Sequence, residues 1–163
     1  VGTGAWIAPG GRARLALIDR WRVLPDYASV NLGEMDHADA IARLLAKGIG
    51  VEAGVWNRSD AERLVALSDA HRCLRVLIEM TDDDPTAAMA ECRAVIDVLD
   101  ASDLHLPILL HGENGSVWAM VGEAARRGCA TRVGLEDGLR LPDGSFAPDN
   151  AALVTAAARL LAR

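Results

Sequence analysis

The sequence predicts an α/β fold in which helices cover a parallel sheet, and three observations lead to this prediction. Short apolar segments alternate strictly with amphipathic segments. A strand that pairs in parallel with the next strand needs a crossover connection, which is usually a helix. The predicted strands are apolar on both faces, as in sheets that are covered by helices. Polar residues recur where the strands end, so the chemistry is expected at one edge of the sheet.

Length and composition indicate one globular domain over residues 1–163. Apolar residues make up 51% and charged residues 25% of the chain, which suffices for a core. The net charge of −6 argues against nucleic acid as a partner, because phosphate binding normally leaves a basic surface. Neither a membrane span nor a signal peptide is visible. Cys73, Cys92 and Cys129 have no CxxC spacing, which predicts a cytoplasmic protein with reduced, buried thiols.

The individual elements follow from periodicity and from helix-end signals. Asp36 and Ser59 are the expected N-caps of two of the helices. Apolar residues at helical spacing predict helices over 11–24, 36–48, 59–70, 84–102, 116–128 and 149–163. Strands are predicted over 27–32, 49–56, 73–80, 106–113 and 131–137, and residues 1–6 read as the end of another strand.

The polar strand ends favour a (β/α)8 barrel over an open doubly wound sheet. They are Thr3, Ser29, Asn31, Glu52, Glu79, His111, Glu113, Glu136 and Asp137. Barrel enzymes take catalytic residues from the ends of several strands, whereas an open sheet concentrates ligand contacts at one switch point. Neither a GxGxxG nor a P-loop sequence is present. Six strands cannot close an eight-stranded barrel, so either two strands precede Val1 or the sheet is open. Because the chain begins without Met, we expect an N-terminal part to be missing.

Residues 131–137 are the strongest candidate for a reaction centre. This apolar segment ends on Glu136 and Asp137, with Arg132 four residues before the first acid. His111, Glu113 and the two acids could form a metal site or an acid/base site, although the sequence has no HxH or HExxH pair. The alternatives are a structural ion pair at Arg132 and a hydrogen-bonded structural histidine at His111. The residues alone leave these alternatives open.

Four segments resemble one family, the β-keto acid cleavage enzymes typified by 3-keto-5-aminohexanoate cleavage enzyme. They are ASVNLGE (28–34), GIGVEAGVW (48–56), ILLHGE (108–113) and RVGLEDGLRLPDGSFAPDNAALV (132–154). The resemblance covers the chain from Thr3 to about Leu161 and implies a (β/α)8 barrel, of which this sequence holds about strands 3 to 8. It also implies a divalent metal, usually zinc. The family reaction converts a β-keto acid and acetyl-CoA into acetoacetate and an acyl-CoA.

The resemblance assigns roles to individual residues. Glu136 corresponds to the carboxylate zinc ligand, Asp137 to the general base, and Arg132 to the arginine paired with that base. The implied substrate-binding positions are Thr3, Ala5, Ser29, Asn31, Glu52 and His111.

The resemblance also leaves part of the metal site outside this sequence. The family's two zinc-binding histidines form an HxH pair on the second strand and would lie before Val1. Two other functions remain open: another metal-dependent barrel lyase or hydrolase, and a catalytically inactive barrel fragment that serves as an interaction surface. The family implies a homotetramer.

Overall fold

The computed structural model describes residues 1–4, 7 and 11–162. Among them are the helices α1 (Arg12–Asp19), α2 (His37–Ala46), α3 (Arg58–Ala66), α4 (Pro85–Asp100), α5 (Val117–Arg127) and α6 (Asn150–Leu161). The strands are β1 (Tyr27–Asn31), β2 (Gly50–Val55), β3 (Arg75–Met80) and β4 (Ile108–Gly112). Single 3₁₀ turns lie at Ala70–Arg72 and Asn114–Ser116. The class predicted from the sequence, mixed α/β with a parallel sheet, is confirmed.

The chain divides into two compact units, which we describe separately. Unit 1 comprises Val1–Leu77 and Val95–Pro107, and unit 2 comprises Ile78–Ala94 and Ile108–Arg163. The division falls within β3 and within α4.

Unit 1 contains the parallel pair of β1 and β2. The register runs from Tyr27 opposite Gly50 to Asn31 opposite Gly54, and β3 begins beside β2 where the Leu74 amide donates to the Val51 carbonyl at 2.8 Å. Side chains alternate between the two faces of a strand. Ala28, Val30, Val51 and Ala53 therefore form one fully buried apolar face, while the predicted site residues of β1 lie on the other face.

Unit 2 contains the second half of β3, together with β4, α5 and α6. The Glu113 amide continues the ladder between these strands by donating to the Met80 carbonyl at 2.9 Å. Helix α5 packs against β4 and α6 packs against α5. The buried residues on these helices are Val117, Met120, Val121, Ala124, Leu153 and Ala157.

The strand predicted over 131–137 is wrong. Ala130 forms one parallel bridge with Leu109, and the backbone then leaves the sheet. The Gly134 carbonyl accepts hydrogen bonds from the amides of Asp137 and Gly138, which closes a turn. The Leu135 amide donates to Asn150 Oδ1 at 2.7 Å, which ties this turn to the first residue of α6. Because these amides already donate within the turn and to Asn150, they are not available to pair with a neighbouring strand.

The opening strand is likewise reduced to one parallel bridge, between Gly2 and Ser29. Four of the six predicted strands therefore form as strands within the described part of the chain. Closure into a (β/α)8 barrel stays a prediction.

One of the two predicted helix caps is also wrong, and the other is replaced by an ion pair. Asn57, and not Ser59, caps α3 by accepting a hydrogen bond from the Asp60 amide at 3.0 Å. Asp36 precedes α2 as predicted, but its carboxylate accepts hydrogen bonds from Arg14 and from the Gly11 amide.

The remaining sequence-level expectations concern thiols and membrane segments. All three cysteines are free; Cys73 and Cys92 are buried, whereas Cys129 is partly exposed. Burial raises the pKa of both buried thiols to about 11. Over residues 1–4, 7 and 11–162, every helix is too short or too polar to cross a bilayer.

Candidate active site

The turn in unit 2 holds Arg132 and Asp137 in direct contact. Arg132 Nη2 donates to Asp137 Oδ1 at 2.7 Å, and Asp137 is only 4% exposed. Burial by itself would raise the pKa of Asp137, but contacts with His111 and Arg132 outweigh it and hold this pKa below its usual range. The aspartate is therefore ionised at neutral pH and fixed by a charged partner.

Glu136 has the opposite environment. Its side chain is 85% exposed, and its Oε2 lies 3.6 Å from Arg132 Nη2. The turn thus presents two neighbouring carboxylates, one buried and bound by arginine and the other open to solvent. Such a difference lets two acids perform different tasks.

His111 lies next to the last residue of β4 and is fully buried. Its Nδ1 lies 3.4 Å from Asp137 Oδ1, and its Nε2 lies 3.8 Å from Glu79 Oε2. Neither ring nitrogen makes a hydrogen bond of good geometry to a described residue. Sequence reasoning placed Glu79 at a strand end but gave it no role, and here it faces the imidazole.

Glu113 completes the acidic surroundings of His111. It forms a capping box with Ser116. The Glu113 side chain accepts a hydrogen bond from the Ser116 amide, and Ser116 Oγ accepts one from the Glu113 amide. Burial raises the pKa of Glu113, and a hydrogen bond with the Glu79 carboxyl group raises it further. Two carboxyl groups can share a hydrogen bond only if one of them carries a proton.

The loop after β4 also binds the turn through its backbone. The Asn114 amide donates to the Asp137 carbonyl at 2.5 Å, and Asn114 has a positive φ of 48°. Ser116 Oγ donates to the carbonyls of Met80 and Glu113, at 3.1 and 2.8 Å. The acid pair is therefore supported by backbone contacts as well as by Arg132.

In unit 1 the structure brings Thr3 and Ser29 together. Thr3 Oγ1 donates to the Ser29 carbonyl at 2.7 Å, beside the bridge between Gly2 and Ser29. Ala5, the other predicted residue of this segment, lies outside the described residues.

Ser29, Asn31 and Glu52 share the second face of the sheet in unit 1. Ser29 lies opposite Glu52 in the register, and Asn31 lies opposite Gly54. Glu52 is buried and bonded to Arg75, whose Nε and Nη2 approach Glu52 Oε1 at 2.6 and 2.5 Å. Glu52 is therefore held by an arginine that the sequence analysis missed.

The chain matches the sequence profile of the beta-keto acid cleavage enzymes over residues 1–163. It belongs to this family. A comparison with curated proteins finds no match. As a member of the beta-keto acid cleavage enzymes, the protein belongs with enzymes that break a carbon–carbon bond of a β-keto acid.

The metal implied for these enzymes can be tested against the residues present. In the part of the chain that the structure describes, no three His, Cys, Asp or Glu side chains are grouped so as to hold a metal ion. Glu136 has the chemistry and the exposure of a single carboxylate ligand. The described residues thus offer one ligand and not a complete set.

Two paired arginines in unit 1, Arg14 and Arg75, were missed, and each carried a signal. Arg75 interrupts an otherwise apolar predicted strand, and an arginine in that place is costly unless it is paired. Arg14 lies four residues before Ile18, on the apolar face of α1. Arg14 donates to Asp36 and to the Thr3 carbonyl, and it also pairs with Glu34.

Proposed function

We propose that this protein cleaves a β-keto acid with acetyl-CoA, and that it releases acetoacetate and the CoA thioester of the remaining acyl group. The proposal places this reaction on a (β/α)8 barrel. Family membership supports the reaction class. The observation that carries the proposal further is the pair of neighbouring acids: Asp137 is buried against Arg132, while Glu136 is open to solvent.

Asp137 is proposed as the general base. A base must be unprotonated and must lie within hydrogen-bond reach of the proton that it takes. The contact with Arg132 supports both requirements, because it favours the carboxylate form and fixes one of its oxygens. Arg132 is proposed as the partner that orients this base.

Glu136 is proposed as the ligand that this chain supplies to a zinc ion. A carboxylate is a common zinc ligand, and the exposure of Glu136 leaves its oxygens accessible. The zinc dependence of the reaction rests on the family resemblance and on this one residue.

Substrate contacts are proposed for Thr3, Ala5, Ser29, Asn31, Glu52 and His111. Support comes from the resemblance, and for Ser29, Asn31 and Glu52 also from their common face in unit 1. The hydroxyl of Thr3 already donates to Ser29, so we propose that Thr3 accepts a hydrogen bond or acts through its backbone.

The test is a product assay on the intact native protein. A panel of β-keto acids is incubated with and without acetyl-CoA, and acetoacetate and acyl-CoA are quantified by mass spectrometry. We expect both products only when acetyl-CoA is present. Equal turnover without acetyl-CoA would instead support a metal-dependent lyase or hydrolase. No turnover with any keto acid would favour the inactive alternative.

Two variants test the assigned roles. Asp137→Asn should lower kcat by at least about 100-fold, as expected for loss of a general base, while zinc stays bound. Glu136→Gln should lose zinc, measured by elemental analysis of the purified protein. Glu62→Gln removes an exposed carboxylate on α3 and is the matched control, with unchanged activity and zinc content. Full zinc content in Glu136→Gln would refute the ligand assignment.

The assembly and the location of the protein stay predictions. The resemblance implies a homotetramer, which light scattering coupled to gel filtration would check on the native protein. Cytoplasmic location is proposed from the absence of paired cysteine spacings in the sequence.

A further inference from the structure

The contacts of His111 in unit 2 have no part in the reaction as proposed so far. The imidazole of His111 has a carboxylate near each ring nitrogen, Glu79 at Nε2 and Asp137 at Nδ1. His111 is fully buried, and its ring nitrogens make no hydrogen bond of good geometry to the described chain. A polar ring in that place is costlier than an apolar side chain of similar shape. Its place in the core therefore calls for an electrostatic explanation.

The charges around His111 provide this explanation. Glu79 faces it from β3, Glu113 follows directly after β4, and Asp137 faces it from the turn. Arg132 supplies a positive charge on the far side of Asp137. Each ring nitrogen faces a carboxylate oxygen, and a nitrogen that carries a proton can donate to the oxygen that it faces.

The contacts with Asp137 distinguish its two oxygens. Arg132 Nη2 and His111 Nδ1 both approach Oδ1, at 2.7 and 3.4 Å. The hydrogen bond that described residues donate to this carboxylate ends on Oδ1, and none ends on Oδ2. A carboxylate fixed through one oxygen presents the other in a defined direction.

We propose that His111 is a positioning residue: with Nε2 facing Glu79, it holds Asp137 through Nδ1 and Oδ1 and leaves Oδ2 as the basic atom. This inference rests on the proposed role of Asp137 as the general base. It is an alternative to the substrate contact proposed above for His111, and an unchanged KM in the variants below distinguishes the two. Glu113 lies beside this group, and its capping box with Ser116 fixes it to the backbone.

Two amide variants separate this role from simple packing. The Asn amide nitrogen lies close to the place of His Nδ1, and the Gln amide nitrogen lies close to that of His Nε2. His111→Asn keeps a donor towards Asp137, so kcat should fall by no more than about threefold, whereas His111→Gln should lower kcat by about 10- to 100-fold with little change in KM. Equal losses in both variants, or no loss in either, would overturn the proposal.

A spectroscopic measurement tests the proposal without using activity. Nitrogen-15 NMR of the native protein should show a proton on Nδ1 of His111, the nitrogen that faces Asp137 Oδ1, and Asp137→Asn should shift the resonance of that nitrogen. An Nδ1 without a proton in the native protein would overturn the proposal even if both amide variants fold poorly. A protonated Nδ1 in a protein that cleaves no β-keto acid would overturn the proposed function but not the contact between His111 and Asp137.

Discussion

Gly112, the last residue of β4, is a place where one methyl group should damage both stability and the candidate site. A Cβ atom at this position would lie 2.6 Å from Ser116 Oγ, 2.8 Å from Met120 Cγ and 2.9 Å from the Ser116 carbonyl carbon. Its φ is not in the positive region, so the obstacle to Gly112→Ala is space and not backbone conformation.

The size of the effect follows from these distances. To bring the contact with Met120 from 2.8 to about 3.4 Å, the start of α5 must move by about 0.6 Å. Forcing an extra carbon into a packed site typically costs about 1–3 kcal/mol. We expect Gly112→Ala to lower the free energy of unfolding by this amount. The same shift displaces Ser116, which forms the capping box with Glu113, so turnover should also fall.

The chain offers a matched control in Gly122, within α5. A Cβ atom there meets nothing within 4 Å, and Ala is favoured over Gly inside a helix by about 0.5–1 kcal/mol. Gly122→Ala should therefore be more stable than the native protein. Urea unfolding monitored by circular dichroism measures both variants. If Gly112→Ala were as stable and as active as the native protein, the close packing of β4 against α5 would be refuted.

Three further predictions concern charges and thiols. The pKa of Glu123 is held at about 2, foremost by the hydrogen bond from the arginine three residues further along α5. The ionised form of Glu123 therefore stabilises the fold above its usual pKa of 4.5, and this contribution is lost as the pH falls towards 2. Glu123→Gln should lower the unfolding free energy at pH 7 by about 1 kcal/mol, since the arginines are partly exposed, whereas Glu62→Gln should have little effect; equal urea midpoints for the two variants would contradict this. Arg132→Gln should raise the pKa of the paired aspartate, so that activity in a pH–rate profile is lost at a higher pH on the acid side, and an unchanged profile would count against the pairing. Burial holds the pKa of Cys73 and Cys92 at about 11, so Ellman's reagent at pH 8 should label them only after unfolding, and rapid labelling of the folded protein would show that they are accessible.

Periodicity predicted the sheet because strand and helix patterns are local. The predicted strands 27–32 and 49–56 differ from β1 and β2 by a single residue at their ends. Residues 131–137 have the same apolar character, but a strand also needs a neighbour with free backbone groups. The bonds from Asp137 and Gly138 to Gly134 use these groups in a turn instead. That choice depends on long-range contacts that periodicity does not report.

The contacts within the candidate site were predictable only in part. The resemblance implied the pairing of Arg132 with the buried acid, and the two side chains are in contact. The ion pair between Glu52 and Arg75 joins residues that are far apart in sequence, so no spacing rule reveals it. The approach of Glu79 to His111 has the same origin.

The hydrogen bond from the Leu135 amide to Asn150 has a mechanical consequence. Because of this bond, a displacement at the start of α6 is transmitted to the backbone that carries the two acids. A ligand, a label or a truncation that moves α6 would therefore change the position of Asp137 without contacting that residue. Asn150→Ala keeps the helix but removes the hydrogen bond to the Leu135 amide. This variant would separate the transmitted effect from the loss of packing against α5.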